Sequence, residues 1–162
     1  MIFVTVGTNE ARFERLLRAV AALPSDEPFV IQHGHSPAVG RPNCELVDFL
    51  PFAAMVETMR RARVVVTHAG VGSVMVALAN GKRPVVVPRR KAFGEAVDDH
   101  QLQLGRRFAQ AGFVTLAETE PALADAVGRE DWTATLPNET SALADELRGF
   151  LEGVITRSPV RP

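Results

Sequence analysis

The sequence predicts an α/β domain: a Rossmann-like, doubly wound, mostly parallel sheet with helices on both faces. Two valine runs, Val64-Val65-Val66 and Val85-Val86-Val87, are continuous and bounded by Gly or Pro, as in strands covered on both faces. Apolar runs of this kind alternate along the chain with stretches of helical periodicity. Between the two valine runs, the turn His68-Ala69-Gly70-Val71-Gly72-Ser73 leaves one strand and opens a helix. Such a turn aims backbone N–H groups and the positive end of a helix dipole at one point, which suits a phosphate or pyrophosphate.

In chain order, Ile2 to Val6 reads as a strand ending in Gly7-Thr8-Asn9. Glu10 to Leu23 reads as a helix, because Phe13, Leu16, Leu17, Val20 and Leu23 recur at three- and four-residue steps. Pro24-Ser25-Asp26 stops it. Phe29 to Gln32 is a second strand, and Glu45 to Phe49 a third that ends in Leu50-Pro51-Phe52. Ala53 to Arg61 is a helix leading into the Val64 strand. A short helix follows Ser73 and stops at Gly81, and the Val85 strand runs into Pro88. Asp98 to Ala111 is a helix with Leu102 and Phe108 inward, and Phe113 to Leu116 a last strand. Glu120 to Val127 and Thr140 to Val154 read as further helices. The domain is expected over residues 1–155, with 156–162 a flexible tail.

At 162 residues the chain is about one domain, long enough to bury roughly 70% of its unfolded surface. A net charge of −1 argues against a nucleic-acid partner but leaves room for a local basic patch. The single Cys44 forms no internal disulfide and fits a reducing compartment, and no cysteine cluster suggests zinc. The start, MIFVTVGTNEARF, has no basic region of a secretion signal, and no run of about 20 apolar residues offers a membrane span. The expectation is a cytoplasmic chain that something else must hold if it works at a membrane.

In parallel α/β sheets ligands sit beyond the carboxyl ends of the strands, so the turns Gly7-Thr8, Leu50 to Phe52, His68 to Ser73 and Pro88 to Arg90 should converge on one crevice. Gly70 and Gly72 let a ligand approach the main chain, and Ser73 can cap the helix or donate to a phosphate oxygen; the alternative is a tight strand–helix turn without a ligand. His68 is a phosphate donor, a base, or a structural residue. Asp99 beside Gln101 suits adjacent hydroxyls of a sugar, although acids at a helix start also serve as dipole partners. Arg89-Arg90-Lys91 is either a cluster for phosphates or acidic headgroups, or a solvated loop.

Taken together, HAGVGS, ALANGKRPVVVP and DDHQ resemble the donor-binding signature of GT-B glycosyltransferases, in particular the glycosyltransferase family 28 C-terminal domain. The opening MIFVTVGT and the Phe-Glu-Arg-Leu helix after it are similar to the small donor-binding subunits of two-part transferases. One kind adds the second N-acetylglucosamine to a dolichol-linked acceptor. A bacterial kind extends polyprenyl-linked sugars in exopolysaccharide or capsule assembly, and PRRKAFGEAVDDHQ looks closer to it. The resemblance covers about Met1 to Val127.

The resemblance implies a UDP-sugar donor site. Gly7 and Thr8 would sit against the diphosphate, Leu50 and Phe52 would flank the uracil, and His68, Gly70, Gly72 and Ser73 would hold the pyrophosphate. Arg89 is added as a donor contact, and Asp99 and Gln101 would meet sugar hydroxyls. Many relatives carry an acid eight positions after the histidine to bind the ribose; here that position is Val76. A complete GT-B enzyme has two such domains, so the resemblance implies a membrane-anchored partner subunit that binds a lipid-linked acceptor. It implies inversion at the anomeric carbon and assigns no catalytic base, with His68 the one candidate; fixed N–H donors at the diphosphate would make a metal unnecessary, and no cofactor is expected. The alternatives are a non-catalytic nucleotide-sugar-binding subunit and a dinucleotide-dependent oxidoreductase; against the latter, GVGSVM lacks the third glycine of that fingerprint.

Overall fold

The computed structural model describes residues 1–129; the expected helix over 140–154, the tail over 156–162 and the domain boundary at 155 lie outside the described residues. Six parallel strands form one sheet: β1 (Ile2–Thr5), β2 (Phe29–Gln32), β3 (Cys44–Val47), β4 (Val64–Thr67), β5 (Val85–Val86) and β6 (Thr115–Leu116). Among the described residues five α-helices connect and follow them: α1 (Glu14–Ala21), α2 (Phe52–Arg61), α3 (Val71–Ala79), α4 (His100–Gln110) and α5 (Glu120–Gly128). The spatial order β3-β2-β1-β4-β5-β6 is that of the doubly wound dinucleotide-binding architecture.

Alternation along each strand decides which helices cover which face. Ile2 and Val4 of β1, Val64 and Val66 of β4 and Val85 of β5 pack against Leu16, Leu17 and Val20 of α1 and Leu123 and Val127 of α5. The intervening Phe3 and Val65 turn the other way, onto Met59 of α2 and Ala77 of α3. Val86 meets Val74 and Leu78 of α3 and Phe108 of α4. The central strands β1 and β4 are buried along their whole length. Each valine so removed from water stabilises the fold by about 1.5–3 kcal/mol before chain entropy is counted.

Several boundaries differ from expectation, for physical reasons. The first helix begins at Glu14, four residues later than expected. Asn9 Oδ1 accepts the amide of Ala11, and Arg89 takes the carbonyls of Ala11 and Arg12, so residues 9–13 are held out of the helix. Ser36, reaching across from the loop after β2, then accepts the amide of Phe13 at 2.8 Å. The helix after β4 begins earlier than expected, at Val71, with Gly70 as its extended N-cap residue and no side-chain cap. Ser73 is therefore not the cap: Gly72 and Ser73 already lie in the first helical turn. α4 begins two residues late, at His100, whose amide is accepted by Asp98 Oδ1 at 3.0 Å. Gly81, with φ of 71°, terminates the chain's turn out of α3 as expected.

Candidate functional site

Between β1 and β4 the connections leave in opposite directions, one winding back through α1 to β2 and the other onward through α3 to β5. A crevice opens at such a switch point. Here it is a cleft of about 330 Å³. Gly7 and Thr8 after β1, Leu50 and Phe52 at the entry to α2, and His68, Gly70, Gly72 and Ser73 around the start of α3 all line it. The remaining lining comes from Thr5, Gln32, Phe49, Met55 and Val76, so among the described residues no Asp, Glu, Lys or Arg side chain faces the cleft.

The two glycine turns are fitted around one imidazole. A Cβ built on Gly7 would fall 2.5 Å from Cε1 of His68, and one on Gly70 would fall 2.2 Å from its Nε2. Gly7 also holds a φ of 78°, a backbone conformation that side chains with a Cβ resist. Gly72 is different: beyond its chain neighbours and its own helix backbone, no atom of the described residues lies within 4 Å of where its Cβ would be. Its missing side chain leaves the amino end of α3 open to the cleft. The amides of Val71, Gly72 and Ser73 have no intrahelical acceptor in that position, and among the described residues no side chain caps the helix. They are the unspent donors of the site, reinforced by the helix dipole.

Burial holds the His68 pKa well below the ordinary value, to about 4, and the positive charge of Arg89 pushes it the same way. The ring is therefore neutral near pH 7, with one nitrogen as donor and the other as acceptor. Thr67 Oγ1 lies 3.4 Å from its Nδ1.

Beneath the glycine turn sits Gln32, 5% exposed at the end of β2. Its amide nitrogen donates to Gly7 O at 3.1 Å and Asp48 O at 3.0 Å, and its Oε1 accepts a short hydrogen bond from Thr5 Oγ1. Thr5 Oγ1 in turn accepts the Gly7 amide at 3.2 Å. One carboxamide thus joins the ends of β1 and β2 to the loop after β3. On the outer side, Phe49 and Phe52 are 45% and 65% exposed, leaving apolar rings at the mouth of the cleft.

Three residues expected at the site are placed elsewhere or otherwise occupied. Arg89 has no exposed surface, so it does not reach the cleft as a donor contact. Its guanidinium donates to the carbonyls of Val6 at 3.0 Å, Ala11 at 2.7 Å, and Arg12 and Glu95 at 3.3 Å, and stacks 4.6 Å from the Phe13 ring centroid. It braces the turn after β1 against the loop after β5. Glu95, 4% exposed, completes that brace by accepting from Arg15 at 2.8 and 2.9 Å and from the Arg90 amide at 3.0 Å. Asp99 Oδ1 accepts the Lys91 amide at 3.0 Å, and Gln101 Oε1 accepts the Arg89 amide at 3.2 Å. Both side chains hold the loop after β5, beyond the residues that line the cleft.

Sequence reading missed Thr5, Gln32, Phe49, Met55 and Glu95. A polar residue closing the apolar run Phe29-Val30-Ile31 was the available signal for Gln32. Nothing in the local pattern singled out the others.

Fold and cleft define an open α/β domain with an anion-receptive helix terminus at its switch point. Residues 1–142 match the glycosyltransferase family 28 C-terminal domain, and the chain belongs to that family. A stretch of 46 residues is 48% identical to "UDP-N-acetylglucosamine transferase subunit ALG13" of Yarrowia lipolytica, covering 28% of this chain and 21% of that protein. Among solved structures, the calicheamicin glycosyltransferase CalG4 superposes with a TM-score of 0.60 at 20% identity, over 96% of this chain and 39% of that one. The spinosyn forosaminyltransferase SpnP superposes with a TM-score of 0.61 at 18% identity, over 94% and 39%. At these identities the likeness is one of fold, that of GT-B glycosyltransferases. The chain spans about a fifth of the length of the curated relative and about two fifths of the solved chains it matches.

Proposed function

We propose that this chain is the donor-binding and catalytic subunit of a two-subunit inverting glycosyltransferase, which moves a sugar from a UDP-sugar to a polyprenyl-linked acceptor in exopolysaccharide or glycolipid assembly. The observation that carries the reading is the uncapped amino end of α3, opened by Gly72 onto a cleft with no side-chain charge among the described residues. Family membership and the stretch shared with a UDP-N-acetylglucosamine transferase subunit support it, and favour a transferase over an oxidoreductase.

In this reading the diphosphate lies against the amides of residues 71–73, the Gly7 turn and the neutral His68. The uracil lies against Leu50 and Phe52. The acceptor hydroxyl oxygen attacks the anomeric carbon, the bond from that carbon to the diphosphate oxygen breaks, and UDP leaves with the electron pair. The hydroxyl proton passes to a base on the acceptor side, supplied by the partner. Negative charge grows on the departing oxygen as the bond breaks, so fixed amide donors and a helix terminus stabilise the transition state more than the bound donor. The amides carry that charge in this scheme, and no metal is invoked. Asp99 and Gln101 would reach the sugar only by exchanging their hydrogen bonds to the Lys91 and Arg89 amides. The partner is a membrane-anchored, acceptor-binding subunit that recruits this chain to the cytoplasmic face.

Isothermal titration of the purified chain with UDP tests the reading. Binding that is weakened in folded His68→Ala supports it. Unchanged affinity in that variant, or no binding by the wild type, overturns the site.

A further inference from the structure

We propose that Gln32 and Thr5 are positioning residues: together they hold the Gly7–Thr8 peptide with its carbonyl turned inward, which leaves the Thr8 amide facing the diphosphate. The inference rests on the reading above, in which the diphosphate lies between the Gly7 turn and the amino end of α3.

Gln32 lines the cleft but has no N–H to offer a ligand. Both hydrogens of its amide nitrogen are taken, one by Gly7 O at 3.1 Å and one by Asp48 O at 3.0 Å. Its Oε1 accepts the Thr5 hydroxyl, whose oxygen accepts the Gly7 amide at 3.2 Å. Two carbonyl partners decide which end of the carboxamide carries the nitrogen, and the Gly7 amide decides which way the Thr5 hydroxyl donates. A closed circuit thus claims the N–H and the C=O of Gly7 at once.

In a trans peptide the N–H of one residue points opposite to the carbonyl of the residue before it. The Gly7 carbonyl points toward the β2 side, at Gln32 and at Gly34, whose Cβ would lie 3.0 Å from it. Because β1 lies between β2 and β4, the Thr8 amide points to the β4 side, where His68 and the start of α3 line the same cleft. Among the described residues no group accepts it. Glycine resists reversal of this peptide less than any other residue. Reversed, the peptide would present the Gly7 carbonyl oxygen to the diphosphate, replacing an attraction by a repulsion. The choice between the two orientations falls to Gln32 and Thr5.

The test is amide-resolved NMR of the full chain titrated with UDP, read beside the dissociation constants. In the wild type the amides of Thr8, Gly72 and Ser73 are expected to move downfield together. Gln32→Met keeps the length of the side chain but donates nothing. In that variant the Thr8 response should be lost and those of Gly72 and Ser73 kept. UDP affinity should weaken about tenfold, the worth of one hydrogen bond to a charged group. Thr5→Val should do the same, while Thr5→Ser, which keeps the hydroxyl, should respond as the wild type does. If Gln32→Met does not fold, the two Thr5 variants decide alone. A Thr8 amide that still responds in folded Gln32→Met or Thr5→Val overturns the inference, and so does loss of all three responses, which would make these residues supports of the whole cleft. A wild-type Thr8 amide unmoved by UDP while those of Gly72 and Ser73 shift overturns it and leaves the donor site standing. No binding of UDP by the wild type overturns the site itself, and the inference with it.

Discussion

The imidazole of His68 occupies the space that a side chain at Gly70 would need, with a Cβ there landing 2.2 Å from Nε2. Gly70 itself has ordinary extended angles, φ −77° and ψ 128°, that alanine adopts without strain. Its requirement for glycine is therefore steric and depends on one neighbour. Gly70→Ala is expected to destabilise the fold by about 1–3 kcal/mol, the range for overfilling a packed site. Combining it with His68→Ala should recover most of that loss, a non-additivity that urea melts of the two single variants and the double variant would reveal. Purely additive losses would place the conflict somewhere other than the ring.

Gly72 is the opposite case, since a side chain there meets open cleft. Gly72→Val is expected to leave stability within about 1 kcal/mol, because helix propensity favours valine slightly over glycine. UDP affinity should fall more than about tenfold, as the branched chain covers the first-turn amides. Melts and titration together check this, and a folded variant with wild-type affinity would remove the amides from the phosphate site.

Acid should loosen the fold in two separate windows. His68 titrates near 4 in the folded chain because it is buried and near Arg89, against 6.5 when exposed. Between those values the unfolded chain binds the extra proton, so stability falls as pH drops from 6.5 to 4. Glu27 is held near 2, chiefly by its hydrogen bonds from Arg63, so its contribution is present above 4.5 and is lost as pH falls toward 2. Denaturant melts of His68→Asn should show a flatter pH dependence between 6.5 and 4 than the wild type, with the lower window unchanged. An equally steep fall in the variant would falsify the assignment to His68.

Arg89 is a buried cation whose nearest hydrogen-bond partners are main-chain carbonyls. Burial lowers its pKa, with Glu95 opposing. Replacing it with methionine removes the cost of burying a charge but leaves the carbonyls of Val6, Ala11 and Glu95 short of donors. The second effect is expected to win, with Arg89→Met destabilised by about 2–4 kcal/mol. Lysine should not rescue it, since an ammonium cannot span the fork. Thermal melts of the two variants decide this; stability within error of the wild type in either would show the brace to be dispensable.

Much of this architecture was legible in the residues. Val64 to Val66 and Val85 to Val87 announced central strands, and the glycine turn after β4 announced the crevice, because burial on two faces and a need for small residues both leave marks on local sequence. What was not legible depends on partners far along the chain. α1 starts late because Arg89 and Ser36 claim the backbone groups just before it. Arg89 looked like a surface cation beside Arg90 and Lys91, and only the carbonyls of the turn after β1 explain why it is buried. Gln32 and Thr5 are each unremarkable in their strands and become a unit only when β1 and β2 lie side by side.

The bond from Arg89 to Val6 O joins positions 83 residues apart. During synthesis the Gly7 turn leaves the ribosome with Thr5 and Gln32 as its supports, and its Arg89 brace follows much later. The crevice thus gains its last brace only after β1 to β5 have been made, and a nascent chain halted before Arg89 would carry those strands with the turn after β1 unbraced on that side.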